Sequence, residues 1–299
     1  MKPLLLLILF SLSAAAEEGL RAAADQVARG DVPAAVQTLE AALAQGPSAS
    51  PDAYLMLTDC HLRLGDPKAA LEALDRGLRA HPESVAMLKT AARLLLHDRR
   101  WSARANDPLE RALKLVPEDP ELHYYMSQWA CLHNREDLCL EEAEKTLAMA
   151  PGNAAAGLQL NTLIGIAASK LGQPEKAEAA FLKALDYNRR SGLGDPAAAY
   201  RYVDFLNREA RAEEALKLAT EILEKAPAFG PAHLERAKAL QREGKPEEAI
   251  QLTEKALGLD GMQRENLRAA HMLLARCYFL LGDEEAAAKH QEWIEKNPH

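Results

Sequence analysis

Apolar residues recur three and four positions apart along most of the chain, between short turns that carry glycine or polar residues. After the turn Gly30-Asp31, Ala35 and Ala42 stand at offsets of 5 and 12 residues from the glycine. This spacing puts side chains on one face of an α-helix, whereas a β-strand alternates with a period of two. The pattern therefore predicts amphipathic helices joined by short turns.

The composition is that of a helical protein. Aromatic residues make up 5% of the 299 residues and apolar residues 48%, much of it Ala and Leu. These two residue types are strong helix formers. A chain of this length forms one or two ordinary domains or one long repeat array, and the composition favours the array.

A turn, a helix and a proline repeat along the chain. The turn Gly65-Asp66 lies 35 residues after the first one, and the prolines continue this period at Pro82, Pro117 and Pro151. A period near 34 residues is typical of helix-turn-helix repeats. Eight units are predicted, with the approximate ranges 17–47, 51–82, 84–117, 118–151, 153–188, 195–227, 229–261 and 264–298.

Small residues hold one place in the second helix of most units. A single helical hairpin does not bury both of its apolar faces, so neighbouring hairpins must stack, with a small side chain at the point of closest approach. The chain is therefore predicted to be an all-α, right-handed α-solenoid of about eight helix-turn-helix units. The residues at that place are Ala35, Ala70, Ala105, Ala177, Ala215, Ala249 and Ala287.

The pattern resembles the tetratricopeptide repeat family over nearly all of Glu17 to Pro298. Arg100 and Asn134 stand where a turn glycine is expected, and Cys139 replaces the packing alanine. The resemblance implies a concave groove lined mainly by first helices, and a scaffold or adaptor that binds another protein there. Most landmarks fall in one segment, at Gly165, Lys170, Leu171, Gly172, Ala177, Phe181 and Ala184, and part of them recurs at Gly244, Ala249 and Ala256.

The resemblance also places individual residues in that groove by their offset from each turn. One hypothesis is that the four basic residues among those placed form a stripe that receives an acidic or C-terminal peptide. The alternative is a solvated helix face of balanced charge. The residues placed in the groove are Tyr124, Gln128, Tyr200, Asp204, Asn207, Arg208, Lys238, Arg242, Arg276 and Phe279.

The first sixteen residues have the layout of a secretory signal peptide. Lys2 precedes the apolar run from Leu4 to Leu12, and small residues end the segment before Glu17. The apolar run is shorter than the ~20 residues that cross a bilayer as a helix. Residues 1–16 are therefore predicted to be removed and the rest exported, to the periplasm or outside the cell. The alternative is an uncleaved N-terminal anchor.

Charge and motifs argue against nucleic-acid binding and catalysis. The net charge is −8, and an acidic surface repels a phosphate backbone. The histidines show no pair at helical metal-binding spacing, and Gly192-Leu193-Gly194 resembles a dinucleotide fingerprint but follows a helix instead of a strand. The chain is predicted to be no enzyme, with no cofactor, no metal and no later transmembrane segment.

The last helix is polar on one face and reads as a cap, which favours a monomer; the alternative is a self-associating structural component.

The chain contains four cysteines, which matter if it is exported because disulfides form in oxidising compartments. Cys131 and Cys139 lie eight residues apart, across a predicted turn, and a disulfide between them would compensate for the missing turn glycine. The alternative is two buried thiols in alanine-like positions, since a disulfide requires Cα atoms within ~7 Å. Cys60 and Cys277 hold the same place in their units and are predicted to be core residues.

One mass measurement tests both the export and the disulfide. The protein purified from the envelope or the medium is expected to begin at Glu17, because the small residues at Ala14 and Ala16 fit a cleavage site. Alkylation of the denatured, unreduced protein adds two labels if Cys131 and Cys139 are bridged and four if they are thiols. A mass that includes residues 1–16 would contradict cleavage.

Overall fold

The computed structural model describes residues 17–44, 50–149, 154–192 and 194–298. The predicted signal peptide, residues 1–16, lies outside this part of the chain. Two compact units are present, one ending at Arg135 and the other beginning at Glu136. The boundary falls inside the range 118–151 predicted for the fourth repeat.

The first unit is a row of helices, each packed on the next. From α2 onward each helix contacts the helix that follows it, and α5 also contacts α7. Its helices are α1 (17–28), α2 (Val32–Ala44), α3 (Pro51–Arg63), α4 (Pro67–Ala80), α5 (Val85–His97), α6 (Asn106–Leu115) and α7 (Pro120–Leu132), with a 3₁₀ turn at Ser102–Ala105 before α6.

The second unit is built in the same way. Each helix again contacts its successor, and contacts between α9 and α11 and between α13 and α15 join the first helices of neighbouring hairpins. Its helices are α8 (Glu136–Met149), α9 (Ala154–Lys170), α10 (Pro174–Ser191), α11 (Pro196–Arg208), α12 (Ala212–Lys225), α13 (Gly230–Arg242), α14 (Pro246–Leu257), α15 (Arg264–Leu280) and α16 (Glu284–Lys296).

The predicted all-α fold of consecutive helix pairs is confirmed. The small residues predicted to hold the closest approach are buried: Ala177, Ala215 and Ala249 are 0% exposed, and Ala287 is 4% exposed. Their counterparts Ala35, Ala70 and Ala105 in the first unit are also 0% exposed. A methyl group lets two helix backbones approach closely, and a larger side chain at such a point costs strain.

The turns inside the hairpins need a left-handed backbone residue. Gly30, Gly172 and Gly244 have φ of +82°, +70° and +77°, a conformation that glycine adopts without steric cost. Asn134 and Ala210 take the same role with φ of +53° and +58°. Asn tolerates this region, whereas for alanine the left-handed conformation costs about 1–2 kcal/mol.

The third hairpin departs from the predicted pattern of a glycine turn followed by one continuous helix. The Arg100 backbone N–H donates to Asp98 Oδ1 at 2.9 Å, and a 3₁₀ turn at Ser102–Ala105 precedes α6. Pro108 lies in the first turn of α6, where its missing N–H is tolerated because that group has no helical partner. The second helix is therefore divided at Asn106.

Hydrogen bonds join residues beside two longer connections, one between α10 and α11 and the other between α14 and α15. The Asn188 side chain donates to Asp195 O and accepts from Asp195 N, both at 2.9 Å. Gly230 N donates to Asp260 O at 2.8 Å, and Asp260 N donates to Ala228 O at 3.0 Å. The first pair of bonds joins the end of α10 to the residue before α11, and the second pair joins the connection after α14 to the start of α13.

Two buried histidines join successive hairpins. His123 Nε2 and His233 Nε2 each lie 2.8 Å from the carbonyl oxygen of the proline six residues earlier, Pro117 and Pro227. The imidazoles are 3% and 7% exposed. Because a carbonyl only accepts, each Nε2 donates. Each imidazole therefore ties the connection that precedes its helix to the helix itself.

The left-handed alanine gives a stability test. Ala210→Gly is expected to stabilise the protein by about 1 kcal/mol, because relief of the left-handed strain exceeds the extra chain entropy of glycine. Chemical denaturation measures the free energy of unfolding. The reverse change at an equivalent turn, Gly244→Ala, is expected to destabilise by a similar amount. Equal stabilities for parent and Ala210→Gly would contradict the strain.

Candidate interaction site

A polar cleft opens on the second unit along its first helices, here called the α11–α13–α15 cleft. It encloses about 1020 Å³ of space, including open solvent at its mouth. Five of the residues predicted for the groove line it. The lining residues are Ala197, Tyr200, Arg201, Asp204, Asn207, Arg208, Phe229, Lys238, Gly261, Gln263, Glu265, Asn266 and Ala269.

Helix α11 supplies one wall of the cleft. Asp195 caps its start, since the carboxylate accepts from Ala197 N at 2.9 Å and Ala198 N at 3.3 Å, which satisfies amides that lack a helical partner. Tyr200, Asp204 and Arg208 follow at four-residue intervals and so share a face. The regular helix thereby presents an aromatic ring, a carboxylate and a guanidinium in one row.

The inner end of the cleft is aromatic and closed by the connection after α14. The Tyr200 and Phe229 rings meet edge to face at 5.8 Å, and both residues are buried. A Cβ at Gly261 would stand 2.5 Å from Phe229 Cε2, so only glycine fits there. Burial, and then the nearby Asp204 carboxylate, raises the pKa of Tyr200, so its hydroxyl keeps its proton.

The charges in the cleft are mixed. Lys238 Nζ lies 3.1 Å from Glu235 Oε2, and the Glu235 carboxylate is 1% exposed. Arg201 and Asp204 are 3.7 Å apart, a distance too long for a hydrogen bond. A buried carboxylate is costly without a partner, so Lys238 is committed to Glu235.

Asp204 is half-buried among charges of both signs. Burial raises the pKa of its carboxyl group above the ordinary value, although the positive charges of Arg201 and Lys238 oppose the shift. Within the described residues Arg208 makes no salt bridge, which leaves its guanidinium open to an incoming anion.

The remaining predicted groove residues lie elsewhere. Arg242 Nε donates to Lys238 O at 3.3 Å, which ties that side chain to its own helix. Arg276 and Phe279 line a separate hollow with Met272 and Ile294. The four basic residues of the predicted stripe are thus divided between different surroundings, and Lys238 is already paired.

Tyr124 and Gln128 belong to the first unit, on α7. Gln128 Nε2 donates to Tyr124 Oη at 2.7 Å, a pair one helical turn apart. Burial raises the pKa of Tyr124. Both side chains are half-buried, and the structure describes them in a unit separate from the α11–α13–α15 cleft.

The sequence prediction omitted several residues that shape the cleft. Glu235 stands three positions before Lys238, a spacing that indicates an ion pair on one helix face and was readable in the sequence. Gln263 and Asn266 come from the connection after α14 and the start of α15. Their place depends on how that connection folds back on Phe229, which periodicity does not reveal.

Cys60 and Cys277 are buried free thiols, as predicted. Cys131 lies on α7 and Cys139 on α8, and a disulfide between them stays a prediction.

Among residues 17–44, 50–149, 154–192 and 194–298, no cluster of three or more His, Cys, Asp or Glu is suited to a metal ion. Within the same residues no helix is both long and apolar enough to cross a bilayer.

Known sequence families match the repeated segments of the chain. Two sequence profiles described as tetratricopeptide repeat match the chain, one over residues 26–94 and the other over residues 162–229 and 234–298. No curated protein matches the chain significantly.

Solved structures share the fold. A tetratricopeptide repeat protein from Parabacteroides merdae superposes with a TM-score of 0.67 at 18% identity, covering 87% of this chain and 99% of that one. PilW, a type IV pilus biogenesis factor, gives 0.54 at 18% identity over 71% of this chain and 93% of its own. A human IFIT1 dimer with PPP-AAAA gives 0.54 at 18% identity over 91% and 65%. At such identities the likeness shows the fold alone.

The helix pairs, the buried alanines and the left-handed turns define an α-helical repeat protein. Together with the profiles, which cover more than half of its residues, they show that the chain belongs to the tetratricopeptide repeat family.

The raised pKa of Asp204 has a consequence for stability. A carboxyl group whose pKa is higher folded than unfolded favours folding below the unfolded pKa and disfavours it as pH rises. Asp204→Asn is therefore expected to gain stability relative to the parent between pH 3 and 7, by at most about 1 kcal/mol because the carboxylate is partly solvated.

Denaturation at several pH values measures this difference. Asp25→Asn, an exposed position in the first unit, serves as the control and is expected to show no such trend. A loss of stability in Asp204→Asn that grows with pH would contradict the assignment.

Proposed function

We propose that this protein is a scaffold or adaptor of the cell envelope, which binds a segment of another protein in the α11–α13–α15 cleft. The tetratricopeptide repeat fold supports a role in protein–protein interaction. The cleft narrows this role to one surface of the second unit.

One observation carries the proposal: the cleft holds a guanidinium without an ion pair beside side-chain amides. Arg208 and Asn207 are neighbours on α11, and Asn266 on α15 lines the same cleft. Amides donate to and accept from a peptide backbone, and a guanidinium binds a carboxylate through two parallel hydrogen bonds. An extended peptide with a carboxylate, from an acidic side chain or a C-terminus, satisfies both.

The mixed charge of the cleft limits how that segment is held. Lys238 is already paired with Glu235, and Asp204 and Glu265 add negative charge to the lining of the cleft. An anion is therefore received at Arg208, instead of along a continuous basic stripe. Because the whole chain carries a net charge of −8, a local positive group orients the partner more than it attracts it from a distance.

The envelope location is supported by the amino-terminal pattern alone. Lys2, the apolar run from Leu4 to Leu12 and the small residues before Glu17 have the three-part layout of a signal peptide. The proposal therefore takes Glu17 to His299 as the mature protein.

Self-association is the second candidate, and a specific surface favours it. On the last hairpin Met272 is 56% exposed, Phe279 67% and Leu280 57%, and large exposed apolar patches mark interaction sites. The molar mass of the mature protein by light scattering distinguishes the candidates. A concentration-dependent dimer that Phe279→Ala abolishes would favour self-association over the monomeric scaffold.

The test of the scaffold is capture of partners from an envelope extract, followed by affinity measurement with the purified partner. Asn207→Ala and Arg208→Ala together are expected to weaken binding about 10- to 100-fold, as loss of a charge-assisted contact at an interface does. Lys238 is left in place because its removal would leave Glu235 buried without a partner.

A matched control replaces basic residues on second helices. Lys217 on α12 and Lys255 on α14 are exposed, and their replacement by alanine is expected to leave the affinity unchanged. Circular dichroism verifies that all variants are folded. If both double variants bind as the parent does, the cleft is not the recognition site.

A further inference from the structure

Two histidines face each other between the last two helices. His271 on α15 and His290 on α16 approach with their Nδ1 atoms 2.9 Å apart. Their ring centroids are 5.1 Å apart, so the separation of the rings exceeds that of the nitrogens by about two ring radii. The two Nδ1 atoms therefore point at one another, as the donor and acceptor of a single N–H···N hydrogen bond do.

A metal ion does not fit between these nitrogens. An ion bound tetrahedrally by both nitrogens at about 2.0–2.1 Å would hold them about 3.3 Å apart. The observed 2.9 Å is too short, so the geometry is that of a shared proton.

The pair is the centre of a row of four rings that holds α16 on α15. Trp293 stacks on His271 at 3.8 Å with an interplanar angle of 8°, and Tyr278 stacks on His290 at 5.7 Å and 10°. Within α16 only Ala287 is classed as buried. Apolar burial therefore contributes little to this helix, and the ring contacts carry much of its attachment.

Protonation has two distinct effects on such a pair. When both imidazoles are neutral, or when one carries the extra proton, one Nδ1 donates and the other accepts. When both are protonated, both Nδ1 atoms carry hydrogen and both rings are positive. The hydrogen bond is then lost and like charges face each other at contact distance. The second proton, taken up by the pair as a unit, breaks the contact.

We propose that the His271–His290 pair is an acid-sensitive latch, which releases α16 from α15 when both imidazoles are protonated. Release of α16 uncovers the face of α15 against which it packs. This inference concerns the last hairpin and stands apart from binding in the α11–α13–α15 cleft.

The surroundings set the pH range of the latch. Burial lowers the pKa of both histidines, and the charge of His290 lowers that of His271 further. Glu254 on α14 opposes the shift of His290 and accepts from Tyr278 Oη at 3.1 Å, while Asp283 acts on Tyr278.

One other polar contact fastens α16. Arg268 Nη1 donates to the carbonyl oxygens of Ile294, Asn297 and Pro298 at 3.1–3.2 Å. Since arginine stays charged at all relevant pH values, this contact does not change with acid and leaves the imidazoles as the groups that titrate.

The sign of the effect follows from the lowered pKa values. When α16 is released, His271 and His290 bind protons with the ordinary histidine pKa of about 6.5. When α16 is docked, their pKa values are lower, so the pair binds fewer protons at the same pH. Docking is therefore fully favourable above that pKa and is lost as pH falls through the lower docked values. Each proton taken up on release changes the opening constant by about tenfold per pH unit.

Amide hydrogen exchange of the full chain between pH 8 and 5, corrected for the intrinsic rate, tests the latch. Peptides of α16 are expected to lose protection by about tenfold per pH unit below about 6.5, relative to peptides of α14. His290→Phe keeps a ring against Tyr278 and removes the shared proton, and His290→Gln keeps a hydrogen-bonding group. In both variants the acid-dependent loss is expected to be clearly smaller than in the parent, because only His271 still takes up a proton on release.

His97→Gln, at an exposed position on α5, is the control and is expected to respond to acid as the parent does. The latch is overturned if α16 of the parent follows α14 at every pH. It is also overturned if both His290 variants lose protection on acidification as the parent does. A variant whose α16 is open already at pH 8 supports the latch, because the contact then proves necessary for docking.

Discussion

Close approach of helices at a small side chain is the constraint on which the rest of the structure depends. Each hairpin has apolar faces on both sides and is stable only against neighbours. Ala70, Ala177 and Ala249 are fully buried at equivalent places, where a larger side chain would force the helices apart. The tight turns serve the same end, since a left-handed residue brings the second helix directly back onto the first. Ala210 accepts backbone strain at that point, which shows that the position is set by packing and not by the preference of the residue.

Regular stacking also creates the cleft. The first helices of neighbouring hairpins lie side by side and form the walls of the cleft. On each helix, residues four positions apart share a face, and Tyr200, Asp204 and Arg208 form such a row on α11. Burial and pairing then give the charged groups of the cleft different properties. Lys238 is paired with the buried Glu235, and burial destabilises the charged form of Asp204. Arg208 makes no salt bridge within the described residues. Recognition in a cleft of balanced charge depends on the geometry of individual pairs more than on net charge, because opposite charges in close proximity cancel at a distance.

The hairpin of α15 and α16 is held together by a different kind of contact. Its second helix, α16, is largely polar and buries only Ala287. Aromatic and imidazole stacking takes the place of aliphatic packing between α15 and α16. Imidazole contacts depend on protonation, whereas the aliphatic contacts of the other hairpins carry no titrating group, which is why the acid response is proposed for this hairpin.

The sequence by itself determined the helical class, the repeat period and the buried alanines, because periodicity and turn glycines act locally and recur in every hairpin. It also selected Tyr200, Asp204, Asn207, Arg208 and Lys238, since offsets from a turn fix the face of a helix. Only the tertiary structure decided that the Glu235 carboxylate is buried, that Arg276 lies in another hollow, and that His271 meets His290. Those facts depend on side chains from different helices and on a connection folded onto Phe229. Such distances arise from packing in three dimensions, which spacing along one helix does not encode.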